Sequence, residues 1–297
     1  MEDMGNKTIG NEALTKENET LATEKMPKAP VTLSPTDAAE YRAYKKEKKM
    51  LEINEAIARS ESVVGAQDDA VRVMERASRI RQAAIRVTPS RFLQVKEYLM
   101  RGSVKVDCMI GGDGEMMPKV KAYEAKLARR LGAKELTVAV TPSLLEACRY
   151  GEIKKELRRV KRAAKKTCVK VKMLGGYSYA TVARVARIAA EVGAQYFSVP
   201  YFVGCERIRF DLAGGCQLEV SEVENLADFK KMMGAGVGRV VTSHGFEIYS
   251  EWIKEAENMR LLSDNPKMPK MEEKTSENLV SGVQTHSKTE EKEFKIG

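Results

Sequence analysis

The stretch Cys168–Gly176, CVKVKMLGG, decides the fold. Val169, Val171 and Met173 alternate with Lys170 and Lys172, so as a strand it has one apolar face and one face bearing two ammonium groups. The apolar face can pack under helices. The lysine face needs somewhere polar to point.

The surrounding segments repeat one pattern. DDAVRVMERASRIRQ leads to AAIRV, RFLQVKEYLMRG to VKVDCMI, KVKAYEAKLARRLG to KELTVAV, and EIKKELRRVKRAAKK to CVKVKM, so helix-period and strand-period segments alternate along the chain. LGAKELTV, VGAQYFSV and AGVGRVVT each put a glycine at a helix exit before an apolar strand, as a left-handed C-terminal cap requires. Gly132 to Gly193 is 193 − 132 = 61 residues, two βα units, whereas Gly193 to Gly236 is 236 − 193 = 43, which calls for a shortened sixth crossover. AQYFSVP, CQLEV and GRVVTS complete the series, with a weaker first strand within EAIARSESVV. Eight strands in about 200 residues, with no glycine-rich dinucleotide fingerprint after the first, predict an α/β fold of the TIM (β/α)₈ type.

In a barrel the outer face of each strand packs under helices. Val169, Val171 and Met173 then face outward and Lys170 and Lys172 line the lumen. By the same parity Val106, Cys108 and Ile110 leave Asp107 inward; Leu136, Val138 and Val140 leave Thr137, Ala139 and Thr141 inward; Ile85 and Val87 leave Arg86 inward. The expected lumen is polar.

Composition frames this reading. The 297 residues are 43% hydrophobic, enough to fill a core. Residues 1–35 and 264–297 read as polar disordered tails, residues 36–65 as a charged helix with a degenerate first strand, and 66–263 as the barrel domain. No apolar run is long enough to span a bilayer and the start, MEDMGNKT, is polar and acidic, so no membrane association and a cytoplasmic location are expected. The five cysteines lack zinc-site spacing, and only His244 and His286 offer imidazoles, so no metal is expected. Much of the net charge of +9 lies in EYRAYKKEKKM and EIKKELRRVKRAAKK; in the second, Ile153, Leu157, Val160 and Ala164 form an apolar stripe that puts the basic residues on the solvated side. Without an aromatic platform or nucleic-acid motif, a nucleic-acid partner is not expected.

The order of segments over roughly residues 66 to 246 resembles the deoxyribose-phosphate aldolase family, class I aldolases of the TIM-barrel type. AAIRVTPSRFLQVKEYL is similar to that family's second strand and turn, with Thr88-Pro89 at the turn. KVDCMIGGDGE and KVKAYEAKLARRLGAKEL resemble its third strand, glycine turn and Lys-x-x-Glu helix, here Lys121 to Glu124. VKVKML and GAQYFSV fall at its fifth and sixth strands. The resemblance implies carbon–carbon lyase chemistry through a Schiff base, with a small carbonyl or sugar-phosphate ligand, no cofactor, and room for a homo-oligomer. The family's residues are not all here. Its Schiff-base lysine matches Ser198, its second lysine falls in CQLEVSE, which offers Gln217, Leu218 and Glu219 but no amine, its aspartate matches Thr137, and its phosphate-binding phrase matches Val220-Ser221-Glu222. Thr242-Ser243-His244-Gly245 keeps the look of its phosphate-binding end.

Two readings follow. In one, the nucleophile has moved to strand five: like charge and burial lower the pKa of Lys172, or secondarily Lys170, while Asp107, Glu219 or Tyr196 handles protons and Arg86, Thr137, Ser198, Ser243 and His244 bind substrate. Tyr177 and Tyr179 could line the mouth, and the Gly111–Glu115 turn allows close approach of a ligand. In the other, Arg86, Asp107, Lys170, Lys172 and Glu219 neutralise one another inside an inactive ligand-binding or scaffold barrel.

Overall fold

In the computed structural model, which describes residues 35–96 and 104–263, eight parallel strands close into a barrel in sequential order. They are β1 (Ser60–Val63), β2 (Ala84–Val87), β3 (Lys105–Ile110), β4 (Glu135–Ala139), β5 (Cys168–Lys172), β6 (Tyr196–Pro200), β7 (Gln217–Ser221) and β8 (Arg239–Thr242). The helices are α1 (Pro35–Ile57), α2 (Ala70–Arg79), α3 (Pro89–Val95), α4 (Pro118–Leu131), α5 (Pro142–Glu146), α6 (Tyr150–Ala164), α7 (Tyr179–Glu191), α8 (Leu226–Gly234) and α9 (Gly245–Ser263). Between β6 and β7 the crossover is only a 3-10 helix, Cys205–Asp211, which is the shortening that the glycine spacing demanded. The chain forms one compact unit through Ile253 and a second from Lys254 onward, whose described part is the end of α9.

The barrel begins earlier than residue 66. β1 pairs with both β2 and β8 and closes the sheet, so the boundary expected at 65/66 falls inside the fold. Its four residues are too few to show alternation, which is why the segment reads as weak in sequence. The expected tails, 1–35 and 264–297, lie outside the described residues except Pro35, where α1 starts.

The main apolar core is the layer between strands and helices. Val106, Cys108, Ile110, Leu136, Val138, Val140, Val169, Val171 and Met173 are all buried there, as alternation predicts. Gly132 closes α4 at φ 108°, a left-handed conformation that a side chain would strain, and its N–H returns to the last turn of the helix.

Thr141 departs from the inward set. It lies past the end of β4, where its hydroxyl accepts from Lys121 Nζ at 2.8 Å and donates to Glu156 Oε2 at 2.7 Å. Lys121, fully buried, also donates to Glu156 Oε1 (2.7 Å) and the Ala139 carbonyl (3.0 Å), so all three ammonium hydrogens are used. Three residues on, Glu124 accepts the Gly111 N–H at 2.7 Å and holds the glycine turn after β3. The Lys-x-x-Glu pattern thus fixes the top of β3 and β4 from outside the lumen.

Candidate active site

Strand register fixes which side chains meet inside the barrel. Thr137 pairs with Lys170 and Ala139 with Lys172; across the next strand Lys170 pairs with Tyr196 and Lys172 with Ser198. Following the register round the barrel stacks the inward side chains in levels drawn from alternate strands. The lowest is Ala84, Glu135, Tyr196 and Arg239. Above it come Glu61, Asp107, Lys170 and Glu219, then Arg86, Thr137, Ser198 and Val241. Val63, Met109, Lys172 and Ser221 form the level nearest the C-terminal mouth.

The three lower levels hold a continuous ion network. Lys170 Nζ lies 3.2 Å from Asp107, 2.8 Å from Glu135 and 3.1 Å from Glu219, and also bonds Glu61. Arg86 reaches Glu61 at 3.0 Å, Asp107 at 2.8 Å and Glu219 at 2.5 Å. Arg239 reaches Glu61 at 3.2 Å and bonds Glu135. Thr137 donates to Asp107 at 2.6 Å. All of these side chains are buried.

Lys170 therefore departs from its expected role. Burial alone would lower its pKa, but Asp107, Glu219 and Glu61 outweigh burial and push it well above the ordinary lysine value. Its four carboxylate contacts favour the protonated ammonium rather than the neutral amine that a nucleophile needs. The coupling of two like-charged lysines is overturned for the same reason: carboxylates, not Lys172, set the field at Lys170. Asp107 and Glu219 are held below the usual carboxylate range, Glu219 at about 2, because Lys170 and Arg86 overcome the effect of burial. Neither is free to take a proton near neutral pH. Arg86 and Thr137 are turned to these carboxylates rather than to solvent, and Tyr196 sits below, its ring 5.7 Å from Lys170 Nζ and 4.8 Å from the Arg239 guanidinium. These residues, expected to work on a substrate, are packed against one another below the level of Lys172.

Lys172 differs. Its side chain is 16% exposed, its nearest carboxylate contact is Glu222 at 3.8 Å, and its pKa is lowered by burial and then by Arg86 beneath it. Ser198, beside it across the sheet, is fully buried and its hydroxyl has no partner. Ser243 and His244 lie exposed after β8, where the His244 N–H donates to Thr242 Oγ1 at 2.9 Å.

Glu222 was no candidate in the sequence reading, yet it stands at φ 63°, a left-handed conformation that favours glycine. Glu222→Gly should stabilise the protein by about 1 kcal/mol, read as a higher urea midpoint at unchanged slope. An unchanged or lower midpoint would show that the Lys172 contact outweighs the backbone strain.

Three further lumen residues escaped the sequence reading: Glu61, Glu135 and Arg239. Their parity was visible in ESVV, ELTV and RVVT, but each lies at or near the start of a short strand.

No family model matches the chain. Curated relatives do. The chain is 26% identical over 197 residues to the deoxyribose-phosphate aldolase of Thermococcus gammatolerans, covering 61% of this chain and 88% of that protein. It is 28% identical over 195 residues to the one from Carboxydothermus hydrogenoformans, covering 61% and 86%. The chain is thus similar in sequence to deoxyribose-phosphate aldolases. Solved structures share the aldolase fold: a putative deoxyribose-phosphate aldolase from Coccidioides immitis superposes with a TM-score of 0.63 at 20% identity, over 74% of this chain and 98% of the other. The tetrameric deoxyribose phosphate aldolase of Aeropyrum pernix gives 0.59 at 19% identity, over 72% and 99%. Among the described residues no helix is long and apolar enough to cross a membrane, and no acidic, histidine and cysteine cluster could hold a metal.

Proposed function

We propose that this aldolase relative is a carbon–carbon lyase acting on a small carbonyl compound through an imine at Lys172. The observation that carries this reading is the contrast between the two inward lysines of β5. Lys170 is saturated by carboxylates, whereas Lys172 is reachable from the mouth and biased toward the neutral amine. A neutral amine adds to the carbonyl carbon and the carbinolamine loses water; as a base takes the proton of the β-hydroxyl, the Cα–Cβ bond breaks to give one carbonyl product, its electron pair passing to the protonated imine as an enamine, and protonation at Cα and addition of water then release the second product and the amine. Glu222 is the carboxylate placed to move the proton at Nζ. The buried ion network lies directly below Lys172.

Borohydride trapping tests this. With a panel of small aldehydes and ketones, Lys172 should be reductively alkylated at least about tenfold faster than surface lysines, which remain protonated near neutral pH. Peptide mass mapping locates the adduct, and Lys172→Arg should abolish the selective label. Selective labelling elsewhere overturns the Lys172 site.

A second reading is a non-catalytic ligand-binding or scaffold barrel. It is favoured by Ser198 and Thr137 standing where the resemblance puts the family's Schiff-base lysine and aspartate, by the lack of an amine in CQLEVSE where it puts the second lysine, and by the charge pairing of Glu219 within the ion network. Absence of selective labelling across the panel would favour it.

A further inference from the structure

The two ends of the barrel carry opposite charge. The segments joining each strand to the next helix span 64–69, 88, 111–117, 140–141, 173–178, 201–204, 222–225 and 243–244. They contain six carboxylates, Asp68, Asp69, Asp113, Glu115, Glu222 and Glu224, and no lysine or arginine. Arg149, beyond the short α5, is paired with Glu152. At the opposite end the described residues joining helices to strands include Arg59, Arg81, Lys96, Lys134, Lys165 and Lys166 and no carboxylate. Arg91 of α3 also lies at this end, donating to the Ala66 and Asp68 carbonyls, so the loops above Lys172 hold six carboxylates near that one backbone-bonded arginine in a protein of net charge +9.

Acidic residues are common at helix N-termini, and four of these six act locally. Asp69 caps α2, Asp68 and Asp113 accept nearby backbone N–H groups, and Glu115 accepts from the Ser143 N–H and hydroxyl, both at 2.9 Å. That capping has a second effect. Side-chain oxygens of Asp69, Glu115, Ser178 and Asn225 occupy N–H groups at the starts of α2, α5, α7 and α8, which narrows the room for a phosphate there, whereas α3 and α4 carry no side-chain cap. Glu222 caps no helix, and its ion contact is with Lys172.

An independent observation lies one level below Lys172. Ser198 Oγ and Arg86 Nη1 are buried polar atoms without partners, and both belong to the level directly beneath the mouth. Orphaned buried donors of this kind call for oxygen atoms from a ligand.

We propose that the substrate of the Lys172 site is an unphosphorylated hydroxycarbonyl compound, which rests on the imine reading above. Its hydroxyl or carbonyl oxygens meet Ser198 and Arg86, and its outer end faces the carboxylates, where a phosphate dianion is repelled.

Glyceraldehyde and glyceraldehyde 3-phosphate, each with borohydride, provide the test on the full chain. Yields at Lys172 are taken by peptide mapping relative to an Nα-blocked lysine in the same tube, which removes the intrinsic difference between the aldehydes. Glyceraldehyde should label Lys172 at least about tenfold better than its phosphate in dilute buffer. The ratio should shrink several-fold in about 0.5 M salt, where screening shortens the reach of the loop charges. Glu222→Gly should narrow it too, and Ser198→Ala should lower labelling by glyceraldehyde while sparing propanal. Equal or greater labelling by the phosphate overturns the proposal and leaves the imine site standing. No Lys172 adduct from either aldehyde overturns both.

Discussion

Lys170→Met should cost about 3–5 kcal/mol of stability at pH 8, the largest single-residue effect expected in this barrel. The native lumen sets three cations, Arg86, Lys170 and Arg239, against four carboxylates, Glu61, Asp107, Glu135 and Glu219. Removing Lys170 leaves two buried cations for four buried carboxylates at contact distances, with the exposed Lys105, 3.5 Å from Glu135, touching the network only at its base. Methionine fills most of the lysine volume, so a cavity contributes little. Circular dichroism during urea unfolding would read the loss as a lower midpoint. The charge origin has its own signature. Lowering the pH to about 5 lets surplus carboxylates take up protons and should restore much of the lost stability, whereas a packing defect would persist. A variant too unstable to isolate at pH 8 should be recoverable at pH 5. A deficit that is the same at both pH values would mean that Lys170 matters for its shape rather than its charge.

The same lysine shows how far the sequence could be read. Alternation in CVKVKM put both lysines inside, and register confirms it, because a two-residue period has only two outcomes per strand. The sixth crossover was legible from a count of residues between glycines. The partners of each lysine were not. Asp107 and Glu219 were visible as inward carboxylates, but Glu61 comes from a four-residue strand that shows no period, and Glu135 and Arg239 enter at strand starts. Which carboxylate surrounds which amine depends on the stagger around the closed barrel, a property of all eight strands together. One-dimensional spacing therefore treated Lys170 and Lys172 as a like-charged pair. In three dimensions one is the hub of a salt network and the other stands above it. Glu222 was hidden for another reason: its left-handed backbone and its reach to Lys172 are facts of a loop, and loops carry no period.

Stability should fall between pH 5 and pH 7 rather than hold level, and Glu61→Gln should remove most of that slope. Burial pushes the Glu61 carboxyl up, and although Arg86 and Lys170 draw it back, it settles at about 7 against an ordinary 4.5. The network has one carboxylate more than it has buried cations, the exposed Lys105 reaching only Glu135, and Glu61, which hydrogen-bonds Asp107, is the one raised. A proton held there balances the charge. Glu61 Oε1 and Asp107 Oδ1 are both without hydrogen-bond partners in the network, so an acid proton on this pair has an oxygen to serve. Between pH 4.5 and 7 the folded protein keeps this proton and the unfolded chain releases it, so stability declines as pH rises, by up to about 3 kcal/mol for a shift of this size. Glu219 and Asp107 act in the opposite direction. Their folded pKa values are depressed, so the stability they provide is complete above the unfolded carboxylate range and is lost only as pH falls below it. Together they place maximum stability near pH 5. Glutamine at position 61 mimics the protonated acid, so E61Q should equal the wild type near pH 5 and exceed it at pH 8. Urea midpoints for both proteins at the two pH values decide the matter. A wild-type slope that survives in E61Q would assign the lumen proton to another carboxylate of the network.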